Sequence, residues 1–323
     1  MRRLKTGTRC FDKMKSEQNK GYLLVLLAGI LWGSIGFFAT KLSDMGMNAG
    51  PQAFFRVFFS TLMLALTLLI KGRGTSLFRI GRRGLISCML VGVVSQAFFN
   101  VCYMNAIEQS GMATAAVFLY TSPIYVAVLS RLFFREPLTG NKILAIVINI
   151  VGCVLTVTGG DFTDAKISAF GLIMGLLAGL TYALLPVLSR TGAADENPYT
   201  AAFYGQLFGS ILLFFLVRPY RNIGTALNWK VLLVLIGFGV IPSAMAYIAY
   251  YGGIGRMTET SKVPVIASVE TVVAAVIGLL AFGQKLGILK ILGIALVLCS
   301  IAVMNAKRKK EIKNEKQICA EKT

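Results

Sequence analysis

Glu270 is the one carboxylate that falls well inside an apolar stretch of this chain, and Arg56 is the corresponding cation. At a helical rise of about 1.5 Å per residue, Glu270 lies roughly 10 Å beyond Val263, within a hydrocarbon layer about 30 Å thick. An ionised carboxylate facing lipid at that depth costs several kcal/mol, so Glu270 must face the protein interior or a wet cavity. There it can exchange a proton, gate, or receive a cationic group of a solute. A neutral, hydrogen-bonded packing role is the competing use. Arg56 lies roughly 8 Å inside the opposite edge, where a long stem can snorkel outward. A direct Arg56–Glu270 pair has to bridge about 10 Å of depth through extended side chains or water.

Further polar groups share these apolar surroundings. Gln96, Asn100 and Tyr103 stand at i, i+4 and i+7, which on a helix is one face and would make a cavity wall; hydrogen bonding between helices is the other use of such a stripe. Trp32, Thr181 and Tyr182 fall near mid-span, too deep for an interfacial belt, and offer π surface or hydroxyls to a solute. Tyr247, Ser122 and Ser268 extend the set, and Pro123 loosens its helix backbone. Tyr251, near a helix end, fits an interfacial aromatic belt.

The elements that must hold these residues are membrane spans. Ten apolar stretches, 22–40, 51–70, 85–107, 112–130, 143–158, 170–188, 200–217, 231–254, 263–282 and 286–304, are separated by short loops. A spanning helix needs about 20 mostly apolar residues, and 22–40 and 85–107 contain no charged side chain. Hydrophobic residues make up 56% of the chain and charged residues 15%, with a net charge of +19. Seven basic residues from Arg2 to Lys20 precede the first span, and seven from Lys307 to Lys322 follow the last. Neither tail interleaves aromatics as a nucleic-acid surface would. Basic clusters beside spans stay in the cytoplasm and attract anionic lipid, so a multi-pass protein of the cell membrane with both termini cytoplasmic is expected. Ten crossings satisfy that requirement; nine or eleven are the alternatives. Loop charge supports the orientation in the first half, but Arg218, Arg221 and Lys230 fall in a loop expected outside, while Arg190 stands nearly alone within.

Catalysis finds little support. Without histidine the chain lacks a Ser-His pair, a His-ligated zinc site and an H-E-x-x-H arrangement. All five aspartates lie outside the expected spans, and no nucleotide-binding P-loop motif occurs. The six cysteines form no C-x-x-C pair. The chain is read as no enzyme, with no cofactor and no metal.

Residues 21–160 and 168–306 resemble one another. At an offset of 148, Lys142-Ile143-Leu144-Ala145-Ile146 falls on Lys290-Ile291-Leu292-Gly293-Ile294, Tyr103 on Tyr251 and Leu138 on Leu286. Five spans per copy is an odd number, so the second copy enters from the opposite face and the repeats are inverted, a geometry suited to alternating access. The expected organisation is a basic tail 1–20, five-helix repeats 21–160 and 168–306, and a basic tail 307–323. The fold class is an all-α integral membrane protein with ten transmembrane helices.

The pieces Gly29-Ile30-Leu31-Trp32-Gly33, Phe54-Phe55-Arg56, Ser122-Pro123 with Arg135-Glu136-Pro137-Leu138, and Val269-Glu270-Thr271 with Gly283-Gln284-Lys285-Leu286 resemble the EamA-type transporters of the drug/metabolite transporter superfamily. The resemblance implies two inverted five-helix repeats and movement of small metabolites. It departs at Thr271, where the family often has Pro, and at Arg135 and Gln284, where it often has a Gly-Glu pair. The expected function is a secondary transporter, an exporter, of small amino-acid-like, nucleobase-like or drug-like solutes. The substrate cavity is expected at Trp32, Gln96, Asn100, Tyr103, Ser122, Thr181, Tyr182, Tyr247, Ser268 and Glu270, with Glu270 and Arg56 as coupling or gating groups. Proton coupling and a homodimer are further expectations. A passive channel or a non-transporting assembly protein is the alternative.

Overall fold

A computed structural model describes residues 2–72, 76–161, 168–226 and 228–306, with side chains left out of the description at 2–13, 221–223 and 225. The basic tail after 306 and the loop cations Arg73 and Lys166 fall outside the described residues. Ten helices long and apolar enough to cross a membrane follow one another: α1 (Met14–Asp44), α2 (Ala49–Lys71), α3 (Arg82–Ser110), α4 (Met112–Phe134), α5 (Gly140–Thr158), α6 (Ala169–Arg190), α7 (Pro198–Val217), α8 (Trp229–Ile254), α9 (Thr260–Phe282) and α10 (Ile288–Asn305). No strand occurs among the described residues. Leu132, Leu280 and Ile288 are among many large apolar side chains pointing outward, as expected where the surroundings are lipid. The N-terminal basic segment is not a separate tail in its backbone: the helix that becomes α1 is continuous from Arg2 to Trp32.

Small residues set the closest approaches. A Cβ at Gly29 would sit 2.6 Å from the Ala267 carbonyl oxygen, and one at Gly33 would sit 2.9 Å from that of Glu270. These glycines bring the backbone of α1 against α9 just where Glu270 is carried, the use small residues have between membrane helices. At Gly33 the helix breaks and restarts at Ile35, with Ser34 Oγ donating to the Leu31 carbonyl (2.7 Å). A second close pair joins α5 to α10, where a Cβ at Gly293 would meet the Thr156 amide nitrogen at 2.5 Å and one at Gly152 the Val297 nitrogen at 2.8 Å.

The duplication is visible in local geometry. Helix α4 breaks at Tyr120–Thr121 and α9 at Ser268, positions equivalent at the offset of 148. The two spans also end alike. Arg135 (φ 55°) and Gly283 (φ 64°) both turn left-handed, and the next amides, of Glu136 and Gln284, donate to the carbonyls of Ser130 and Gly278. Helices α3 and α8 each contain a π-helical stretch at equivalent depth, Val91–Phe98 and Val240–Met245. Such bulges widen the helix and re-aim its side chains.

An even number of crossings puts both ends of the bundle on one face. All four ion pairs among the described residues lie there, at Glu17–Lys20, Glu17–Arg256, Lys142–Glu259 and Glu259–Lys262.

Candidate functional site

The half-helix breaks and π-helical stretches surround an aromatic centre. Trp32, at the break in α1, packs against Tyr247 (ring centroids 5.5 Å apart) and Tyr250 (5.1 Å) of α8. Gln96, buried in the π-helical stretch of α3, donates its amide to the Tyr247 hydroxyl. Further along α3, Phe99 stacks on Tyr103 (5.6 Å) and meets Tyr182 of α6 (5.5 Å). Trp32, Tyr182 and Tyr250 also line a small, mostly apolar cavity together with Val263 and Pro264 of α9.

Glu270 opens the second half of α9, one residue after Val269 restarts the helix. It is partly buried and lies within electrostatic range of Tyr103, Tyr120, Tyr182 and Tyr247. Four tyrosines from four helices thus feel the field of one carboxylate. Its repeat counterpart at the offset of 148, Ser122, is buried at the start of the second half of α4.

Arg56 departs from the snorkelling expectation. It is 8% exposed, with its guanidinium carbon 5.6 Å from the centre of the Phe238 ring. The stem is held by α8 instead of reaching the membrane edge. No carboxylate and no hydrogen-bond acceptor pairs with it among the described residues, and Tyr247 lies in electrostatic range of both Arg56 and Glu270. A buried guanidinium without a counter-anion is costly unless an anion visits it.

The other expected residues divide by what holds their polar atoms. Thr181 donates to the carbonyls of Leu177 and Ala178 on its own helix, and the Asn100 amide turns back to the Gln96 carbonyl (2.6 Å). Ser268 accepts from the Asn149 amide (2.5 Å), which also donates to Ser300 (3.0 Å), so Ser268 ties α9 to α5 and α10. Tyr251, expected in an interfacial belt, is completely enclosed in the bundle.

Sequence reasoning missed Phe99 and Tyr250, which extend the aromatic wall, Tyr120, which lies in electrostatic range of Glu270, and several buried polar groups without partners. Gln206 of α7 is buried with neither side-chain nitrogen nor oxygen paired, and the hydroxyls of Ser60 and Ser243 are likewise buried and unpaired. Ser60 lies one turn from Arg56 on α2, and its amide nitrogen approaches Gly239, one turn before Ser243 on α8. The signal for Gln206 was available: it is an uncharged polar residue amid an apolar run. For metal binding, no group of three or more potential His, Cys, Asp or Glu ligands occurs among the described residues.

Comparison with known proteins decides the family. The EamA-like transporter family matches at residues 19–158 and again at 169–306. The chain belongs to the EamA-like transporter family. It is accordingly a multi-pass membrane protein with a transporter's architecture of two five-helix repeats. An uncharacterized transporter of Archaeoglobus fulgidus is 28% identical over 285 residues, covering 88% of this chain and 95% of that protein. The uncharacterized inner membrane transporter YicL of Salmonella typhimurium is 24% identical, with coverage of 88% and 95%. The pseudopaline exporter CntI of Pseudomonas aeruginosa is 28% identical over 193 residues, 60% of this chain and 63% of that one. A solved protein structure shares the fold with a TM-score of 0.73 at 15% identity, covering 88% of this chain and 95% of its own.

Proposed function

We propose that this EamA-family protein is a secondary transporter, working as an exporter by alternating access between its repeats, in the cell membrane with both termini cytoplasmic. Its solute is a small polar or amphipathic metabolite of amino-acid-like, zwitterionic character. The observation that carries this reading is that a buried guanidinium without a counter-anion and a carboxylate both lie within electrostatic range of Tyr247. A solute carboxylate would be received by Arg56, with the unpaired Ser60 hydroxyl one turn along α2 as a further donor, and an ammonium group by Glu270. The aromatic wall of Trp32, Tyr103, Tyr182 and Tyr247 would pack the apolar part between them. Export is favoured by the relative whose printed name is an exporter. Glu270 is also the group able to carry a proton through the cycle.

Counterflow in proteoliposomes tests the proposal. Purified protein preloaded with one unlabelled solute is exposed to the labelled form, across neutral amino acids, nucleobases and organic cations. Saturable counterflow restricted to zwitterions is expected. Flux that grows linearly with concentration, without counterflow, would identify a channel instead.

A further inference from the structure

The two faces of the bundle are closed by different amounts of chemistry, and the difference centres on one residue. Glu136, in the connection between α4 and α5, is 6% exposed and reaches across to the start of α9. Its Oε1 accepts from the Thr260 amide (2.6 Å), and its Oε2 accepts from the Ser261 amide (3.0 Å) and the Ser261 hydroxyl (2.6 Å). Thr260 and Ser261 are themselves 0% exposed. Beside this, Lys142 donates to Glu259 (2.7 Å) and to the Pro137 carbonyl (3.0 Å), while Glu259 also pairs with Lys262 (2.6 Å). Arg190 donates to the carbonyls of Met257 and Thr258. First repeat and second repeat are therefore joined at the face that carries the termini.

The inverted duplication supplies the counterpart. At the offset of 148, Glu136 corresponds to Gln284, and Thr260-Ser261 correspond to Met112-Ala113 at the start of α4. The equivalence is structural as well, because Arg135 and Gly283 share the left-handed turn and the two following amides close on equivalent carbonyls. Yet Gln284 is exposed, and Met112 is 69% exposed. The contact formed at one face is open at the other, and the open copy has a neutral amide where the closed copy has a carboxylate.

We infer that Glu136 is the interrepeat clasp of the transport cycle: it holds the termini face shut by binding the start of α9, and it releases as Gln284 takes the corresponding hold on the start of α4 at the opposite face. A carboxylate accepting backbone hydrogen bonds is the stronger of the two clasps, so the resting protein favours the state open away from its termini. The inference rests on the alternating-access reading above, but it concerns which face is open and needs no substrate to be seen.

The test uses full-length protein with a single added cysteine and a membrane-impermeant maleimide, the parent chain giving the background of native thiols. Met112→Cys reports the face opposite the termini, and Val263→Cys, buried behind the clasp, reports the termini face. With Glu136→Ala, labelling of Val263→Cys from the termini side should rise about tenfold while that of Met112→Cys falls, the scale of losing one strong charged hydrogen bond. A Glu136→Ala protein that melts at lower temperature while both labelling rates stay within about twofold would overturn the inference, because a purely structural role predicts that pattern. Should Glu136→Ala fail to fold, Gln284→Glu in the otherwise native chain is expected to strengthen the opposite clasp and cut Met112→Cys labelling severalfold. No change there would equally overturn it. Shifted labelling in a protein that moves no solute would support the clasp and count against the transporter reading alone.

Discussion

At the scale of single residues, Arg56 and Glu270 make separable predictions. Replacing Arg56 with Gln keeps length and hydrogen bonding but removes the charge. Affinity for solutes carrying a carboxylate should then fall by roughly tenfold or more, the scale of one charge-assisted hydrogen bond, while solutes without an anionic group change little. Binding isotherms on purified protein check this. Glu270→Gln should leave expression and melting nearly unchanged, since volume and hydrogen-bonding capacity are kept. If the carboxyl carries protons, uptake driven by an imposed pH gradient should vanish while counterflow survives; if it receives an ammonium group, both should fall. Wild-type behaviour in both assays would remove Glu270 from the site. The two charges themselves were legible in the sequence, because an ionisable group in an apolar run has few innocent explanations. What surrounds them was not. Depth along a span places Arg56 within reach of the membrane edge, but only the packing of α8, which sets Phe238 over the guanidinium, shows that it stays inside.

At the scale of elements, all ten spans were legible and, apart from the loosening at Pro123, their interruptions were not. A segment that is apolar on every face has no hydrophobic phase, so neither the π-helical stretches of α3 and α8 nor the breaks in α4 and α9 leave a periodic signature. The i, i+4, i+7 stripe of Gln96, Asn100 and Tyr103 assumed an unbroken α-helix. With Gln96 in a π-helical stretch and Asn100 turned back on the helix, only Gln96 and Tyr103 keep polar atoms for the centre. The contact of α5 with α10 predicts a different behaviour from the site. Gly293→Leu would force a side chain into the Thr156 backbone, so melting should drop by the equivalent of about 1–3 kcal/mol, with solute selectivity unchanged in whatever protein folds.

The connection before α9 is sensitive to acid. Burial pushes the Glu259 carboxyl up, but Lys262 and Lys142 together outweigh it and hold the group below its ordinary value of 4.5. A carboxyl depressed on folding contributes stability that is complete above the unfolded value and is lost as pH falls through the folded one. Melting temperature should therefore decline as pH drops below about 4.5, and Glu259→Gln should flatten the part of that decline due to this group. A variant with the same acid dependence as the parent would assign the effect elsewhere.

At the scale of the whole molecule, the duplicated architecture was legible because an odd number of spans per repeat dictates inversion, whereas the unequal closure of the two faces left only the difference between Glu136 and Gln284 in the alignment of the halves. Reporter fusions check orientation: both termini should report cytoplasmic, and a fusion in the loop after Val217 should report the other side. That loop carries Arg218, Arg221 and Lys230, and Lys285 stands in the next loop on the same side, against Arg190, Arg256 and Lys262 in the termini-side loops of the second half. With the termini cytoplasmic, the rule that seats basic loops in the cytoplasm works for the first five spans and gives no support to the orientation of the next five. The order in which the ribosome delivers the halves then becomes part of the fold. A circular permutant beginning at Ala169 would encode every contact of the native bundle, yet its leading spans would meet the insertion machinery with their basic loops on the wrong side, and the first helices to arrive would enter the bilayer upside down.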